Sequence, residues 1–475
     1  MQMKLKKDWL DDKLRQGVDG RVHWAVAAAI YAIATAVFAY FAYNARYATF
    51  DTFNARDLPG LLTAVTVMFT TLYAAALAVQ FFILQRGRAV AAIYLMAALI
   101  TGLSLLGKIS LLDYVSDDFD IFLSEWIWMM SEESLRGALG LYLGDYNPPY
   151  LYLLAIMSRF PDFSFLYMVK FVSIGADILL AYFAMKLASF KSEGPVFQLS
   201  FFHLTLLLPT VVFNGAYWAQ CDAIYAGLAL GGLYMGLKKR PCASIVLFTV
   251  ALSFKLQAIF LLPMLLPLWS VKRLRLRHLL LAPPVYMAML VPALIGGKTL
   301  HSVLTVYLQQ ANNYTELTMN APSIYQLMPT ASFREFNGMG ILFALALVFC
   351  LCAAMYQKRR TLTAQSMILC AALMCLAIPL VLPRMHERYF FLADVLALVV
   401  VAYNPKRFYL PLAVGFASYC CYVEALPGPA LYPLSYMSLI MIGATALVAY
   451  DLARQLRADE AGAHAPYLLG AEERA

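Results

Sequence analysis

Apolar residues in this chain gather into runs of roughly twenty, the length a helix needs to cross a hydrocarbon core. The runs cover about 24–43, 59–84, 89–110, 166–188, 197–213, 223–237, 279–295, 340–356, 364–383, 389–403, 408–424 and 433–451. Lipid offers the backbone no hydrogen-bond partner, so each run is expected to be a helix, and no strand-like alternation points to a barrel. The pattern predicts an all-α polytopic membrane protein with about 12–14 transmembrane helices.

Two stretches break this rhythm. Residues 148–160 (PPYLYLLAIMSRF) are too short to span comfortably. Residues 243–269 form an apolar block interrupted by Ser253, Lys255 and Gln257. The block lies between the basic clusters Lys238-Lys239-Arg240 and Lys272-Arg273-Arg275-Arg277. If both clusters are cytoplasmic, one straight span cannot join them, and a re-entrant pair of short helices with Lys255 near its tip is expected. Non-regular backbone at membrane depth requires burial in protein or a wet cavity.

Basic residues set the sidedness. Arg86 and Arg88, Lys358-Arg359-Arg360, Lys406-Arg407, and Arg454 with Arg457 then also fall in the cytoplasm. The expected organisation is a cytoplasmic amphipathic N-terminus (1–23), N-terminal spans (24–112) and an acidic extracytoplasmic loop (113–147). A transmembrane core (148–295), an extracytoplasmic loop (296–339), C-terminal spans (340–452) and a cytoplasmic tail (453–475) follow. The acidic loop carries Asp113, Asp117, Asp118, Asp120, Glu125, Glu132, Glu133 and Asp145, interleaved with Trp126, Trp128, Met129 and Met130. That mixture predicts amphipathic helices on the membrane face. The cell (inner or plasma) membrane is the expected location.

Composition agrees with this reading. Hydrophobic residues make up 62% and charged residues 13%, more apolar surface than a soluble fold can cover. A net charge of +8 would suggest nucleic acid in a soluble protein; here the positive residues lie between spans, and no nucleic-acid partner is expected. Of the eight cysteines, Cys350, Cys352, Cys370, Cys375, Cys420 and Cys421 sit inside apolar runs, as packing residues rather than a disulfide framework or metal site.

Candidate chemistry collects on the outer face, where polar groups near membrane depth mark a site. In SDDFDIFLSEW (116–126) a carboxylate can take a proton from an acceptor hydroxyl, although a solvated acidic loop is the plainer reading. In DYNPPYLYLL (145–154), Pro148 and Pro149 mark a helix start beside Tyr146 and Asn147. In FNGAYWAQCDAIYA (213–226), Asn214, Tyr217, Trp218, Gln220 and Asp222 combine rings with amide and carboxylate groups, a set suited to a sugar. An interfacial aromatic belt would explain Tyr217 and Trp218 equally well, but not Gln220 and Asp222. SFKLQ (253–257) places Lys255 and Gln257 in the apolar block, with no acidic residue close in sequence. PRMHERY (383–389) adds the cations Arg384, His386 and Arg388, able to bind a lipid phosphate or, alternatively, to form a salt-bridged turn, with Glu387 as their internal partner.

These motifs together resemble the bacterial relatives of the GPI-anchor mannosyltransferases, a branch of the GT-C class of membrane glycosyltransferases. The resemblance rests on the pattern from Asp118 through Phe122 and Leu123 to Trp126, then on YNPPYLYLL, NGAYWAQCDAIYA, SFKLQAIFLLP, NAPSIYQL (320–327) and MHERYFF (385–391). It implies a GT-C-like bundle and a metal-independent or weakly metal-dependent inverting transferase without a cofactor. The enzyme would take mannose or a similar hexose from a polyprenyl-phosphate donor and pass it to a glycan, lipid or protein acceptor at the outer face. On that pattern Asp118 is the base, with Asp120 and Asp117 in reserve. Lys255 and the basic residues of the MHER turn hold the donor phosphate, and loop 296–339 helps close the site. The chain departs from the pattern by two extra apolar segments before the acidic loop, and by Asp117 and Glu125 where relatives carry Gly and Pro.

A lipid-linked donor is also argued from the residues. Nucleotide sugars are cytoplasmic, the candidate site faces outward, and no soluble stretch is long enough for a doubly wound nucleotide-binding domain. A lipid-linked oligosaccharide polymerase or ligase would share such a site. A polytopic transporter or flippase would instead show repeated halves, and no repeat is evident.

Overall fold

A computed structural model describes residues 20–47, 58–87, 89–144, 146–426 and 431–462. Most of the expected N-terminal segment, the last part of the tail and Asp145 lie outside them. The described chain is almost entirely helical, as the apolar runs require. Among the described residues, nine helices are long and apolar enough to cross a membrane, or ten if one bent pair counts as a single span. The protein is an all-α, multi-pass membrane protein. Four shorter apolar helices, Pro148–Met157, Asp222–Leu237, Pro241–Phe254 and Leu256–Ser270, accompany the spans.

The chain divides into two compact units. The first takes its residues from 1–124, 160–207 and 211–223. Helices Gly20–Tyr47, Leu58–Gly87 and Ala91–Ile109 pack on one another, and Phe165–Ala188 packs on Pro195–Leu206. A buried polar cluster ties these elements together. Gln80 Nε2 donates to Thr101 Oγ1 at 2.5 Å, while His203 Nε2 lies 3.1 Å from Gln80 Nε2 and 3.0 Å from Thr101 Oγ1. Such side-chain hydrogen bonds join helices where apolar contacts do not favour protein over lipid. The run expected as a straight span at 197–213 bends by 56° between Leu206 and Pro209. Proline lacks the N–H that would continue the ladder, and it disfavours helical backbone in the residue before it.

The second unit takes 125–159, 208–210 and 224–475. Its centre is the helix Ala364–Val381, 94% buried, against which Phe333–Gln357, Phe391–Tyr403 and Leu434–Glu460 pack. Thr363 and Ser366 form a reciprocal cap at the start of that helix. Pro148–Met157, Pro241–Phe254 and Ala282–Gly296 form a second cluster. Pro292 interrupts the last of these, and the hydroxyl of Tyr152 inserts beside it. It donates to Met289 O at 3.0 Å and accepts from Ala293 N at 3.1 Å. The short helix Leu135–Gly140 meets the end of the same span so closely that a Cβ on Gly140 would lie 2.1 Å from Gly296 O.

The expected acidic loop is shared between the units, since residues through Ser124 belong to the first and those from Glu125 to the second. It is helical, with a π-helical turn over Asp118–Leu123 continuing into Ser124–Ser131.

Candidate functional site

In the first unit the loop carrying Asp118 meets the turn after Pro209–Val212. That turn is π-helical over Phe213–Tyr217, and it closes at Ala219 with a φ of 64°. A non-glycine residue in this left-handed region signals a constrained turn. The turn aims two side chains at one oxygen. Gln220 Nε2 donates to Asp118 Oδ2 at 2.6 Å, and Trp218 Nε1 donates to the same atom at 3.1 Å. Ser116 Oγ donates to Trp218 O at 2.8 Å, joining the backbones of the two segments as well.

The fold thus distinguishes among neighbouring acids. Asp118 is half-buried and held by two donors across a sequence gap of about a hundred residues, while Asp117 and Asp120 are exposed. The remaining residues of the motif support the turn. Buried Asn214 donates through Nδ2 to Asp222 Oδ2 at 2.7 Å, at the first residue of helix Asp222–Leu237. Tyr217 stacks on Tyr114 with ring centroids 3.6 Å apart. Burial, followed by the hydrogen bond with Tyr217, pushes the Tyr114 phenol up to about 12. Asp118, Asn214, Tyr217, Trp218, Gln220 and Asp222 therefore form one contiguous group, and Asp120 stands outside it.

In the second unit, helix Pro241–Phe254 ends where Lys255 turns extended, at φ −148° and ψ 140°, and short 3-10 turns follow. Lys255 is buried, with its ammonium 5.5 Å from the ring centroid of Tyr146. Asn147 Nδ2 donates to Ser253 O at 2.6 Å, docking the segment before Pro148 on the end of that helix. Tyr389 lies within electrostatic reach of both Arg388 and Lys255.

The PRMHERY segment is shaped by the long loop 296–339. Thr318 and Met319 pair in parallel with Met385 and His386, and Arg384 N donates to Leu317 O at 2.9 Å. Arg384 has a φ of 65°, and its guanidinium lies 5.0 Å from the Phe333 ring centroid. Buried Glu387 sits between two partners, 3.7 Å from His386 Nδ1 and 3.7 Å from Arg388 Nε. Beside this turn lies a cavity of about 200 Å³, walled by Leu256, Ile259, Phe260 and Ile341, with Gln257 and Arg384 among its polar atoms. The eight remaining sequence candidates thus fall in two neighbourhoods of this unit. Tyr146, Asn147 and Lys255 gather at the helix end, while Gln257, Arg384, His386, Glu387 and Arg388 surround the cavity turn.

Three charged residues of the first unit were not singled out from the sequence. Lys108 Nζ and Asp177 Oδ2 form an ion pair at 2.6 Å, with both side chains fully buried. Lys170, also fully buried, donates to Leu111 O, Leu112 O and Tyr114 O at 2.9, 3.0 and 2.7 Å. A signal was present, because charges inside apolar runs are costly and therefore informative. Their partners lie tens of residues away, beyond any local pattern.

Residues 145–271 match a protein family described as alpha-(1->6)-mannopyranosyltransferase, N-terminal domain. The matched stretch, about a quarter of the chain, includes the PPYLYLL helix, the 213–222 turn and Lys255. No curated protein matches the chain. The family match supports the resemblance to the GT-C mannosyltransferases and membrane glycosyltransferase activity. A sugar donor, an acceptor and the bilayer are the partners that follow.

Proposed function

We propose that the protein transfers a mannose-like hexose from a polyprenyl-phosphate donor to a hydroxyl of a glycan, lipid or protein acceptor. The site opens on the outer face of the cell membrane. The acceptor oxygen attacks the anomeric carbon as the bond from that carbon to the phosphate oxygen breaks, which inverts the configuration. Asp118 takes the acceptor's proton as general base. The departing polyprenyl phosphate carries the charge away, and within the second unit Lys255, Arg384 and Arg388 are the cations that the resemblance offers for a phosphate, through charge-assisted hydrogen bonds. The apolar walls of the cavity beside Arg384 suit the first carbons of the lipid chain. The matched family's description favours a mannosyl group delivered to a 6-hydroxyl.

The observation that carries this reading is the selective anchoring of Asp118 by Gln220 and Trp218. A general base must be held in place, and among Asp117, Asp118 and Asp120 only Asp118 is partly buried. The test is transfer from a panel of radiolabelled polyprenyl-phosphate sugars in membranes carrying wild type, Asp118→Asn or Asp120→Asn. Transfer lost in Asp118→Asn and kept in Asp120→Asn is the expected result. Full activity in Asp118→Asn would remove Asp118 as the base. Substrate uptake into vesicles without transfer would favour a transporter.

A further inference from the structure

The span Phe165–Ala188 carries a polar stripe that the transfer reading leaves unused. Tyr167, Lys170, Ser173 and Asp177 recur at spacings of three and four, so they share one face of the helix. Each of them meets an element of the Asp118 site. Tyr167 donates its hydroxyl proton to Asp113 Oδ1. The three donors of an ammonium are matched at Lys170 by three carbonyls of the turn that follows helix Ala91–Ile109. Asp177 pairs with Lys108, near the end of the same helix. Gly215, in the π-helical turn, packs so closely on this face that a Cβ there would lie 3.3 Å from Ser173 Cβ and 3.4 Å from Asp177 Oδ2.

We infer that this stripe, with Lys170 at its centre, is the positioning frame of Asp118. The inference rests on the proposed role of that carboxylate. The chain from Tyr114 to Asp118 is short and is held at both ends. Lys170 fixes the carbonyl of Tyr114, while Trp218 and Gln220 fix Asp118 itself. The same helix face supports Gly215, five residues before Gln220. One rigid span therefore sets the distance between the loop that supplies the carboxylate and the turn that supplies its donors. A fully buried ammonium is expensive in an apolar span. Carbonyls beyond a helix C-terminus are where a cation is best compensated. A capping residue without charge could end the helix; binding three carbonyls of the outgoing chain, at Leu111, Leu112 and Tyr114, is what a lysine adds. Lys170 and Tyr167 touch no reacting atom in this scheme and act through Asp118.

Two readouts test the frame independently. The first is the labelling rate of Asp118→Cys by a polar maleimide, in a background where the exposed Cys242 and Cys350 are serine. The second is transfer kinetics from a radiolabelled polyprenyl-phosphate hexose in the native Asp118 protein. Lys170→Met and Tyr167→Phe are expected to speed labelling at position 118, with Lys170→Arg closer to the parent. In the kinetics, Lys170→Met should lower kcat by up to about a hundredfold, the cost of misplacing a catalytic group by about 1 Å, with the donor KM little changed. Unchanged labelling in folded Lys170→Met overturns the frame, as does a loss of activity that only tracks the amount of folded protein. If Lys170→Met does not fold, Tyr167→Phe and Lys170→Arg decide by the same criteria. Absence of transfer in the wild type, with labelling still responsive, sinks the transferase reading and leaves the frame standing.

Discussion

Replacing Gln220 with alanine isolates the contact that singles out Asp118. The amide lies 2.6 Å from a carboxylate oxygen, and hydrogen bonds to charged groups contribute about 1.5–3 kcal/mol. Two features of the site reduce that figure. Asp118 is only half-buried, so water can replace part of the lost bond, and Trp218 Nε1 still donates at 3.1 Å. A loss of about 1–2 kcal/mol in orienting the base remains. It corresponds to a fall in kcat of about 5- to 30-fold. The backbone bond from Gln220 N to Asn214 O, at 2.8 Å, does not depend on the side chain, so the turn should persist and thermal stability should change little. The assay is initial-rate transfer from a polyprenyl-phosphate hexose in detergent, with the donor titrated to separate kcat from KM. Unfolding is followed by fluorescence-detected chromatography. An unaltered kcat in a stably folded variant would refute the argument, and so would a change confined to KM. Trp218→Phe should have a smaller effect in the same direction. The double variant should fall short of the product of the two, because both donors serve one oxygen.

Two further outcomes follow from backbone geometry in the second unit. Gly140→Ala places a methyl 2.1 Å from the carbonyl oxygen of Gly296, where neither backbone can yield cheaply. It should cost about 1–3 kcal/mol, read as a lower Tm in detergent, and an unshifted Tm would contradict the close approach. At Arg384, where φ is 65°, glycine should leave the protein about 1 kcal/mol more stable than alanine does. Both substitutions should weaken donor binding by removing the guanidinium; equal stability of the pair would argue against the strained turn, and unchanged donor KM against a phosphate role.

Much of the site was legible as a set of short strings, less so as a constellation. Gln220 and Asp222 stood out because polar groups in a tight turn between spans have little structural reason to be there, whereas Trp218 was equally well explained as an interfacial aromatic. Among Asp113, Asp117, Asp118 and Asp120, residues alone pointed to a carboxylate but not to its donors. The distinction is made by Trp218 and Gln220, about a hundred positions away. Lys108, Lys170 and Asp177 were hidden for a related reason. Each is a charge within an apolar run, and each finds its partner on a distant segment, another helix for Lys108 and Asp177 and a turn for Lys170.

Hydropathy by itself determined the architecture at the level of spans. Lipid imposes one requirement on every crossing segment, an apolar surface over a backbone that bonds to itself. The break at Lys255 marked where a regular helix ends, whereas the bend before Pro209 lay inside a run that hydropathy left unbroken. What hydropathy could not decide is which span sits at the centre. Ala364–Val381 has a mean hydropathy of 2.1 and is almost wholly enclosed, whereas Phe333–Gln357 reaches 2.5 and is only 22% buried. Lipid tails are as apolar as a leucine side chain, so a protein neighbour and a lipid neighbour leave the same mark on the sequence. Only packing separates them, and only packing brings the donors at 218 and 220 to the carboxylate at 118.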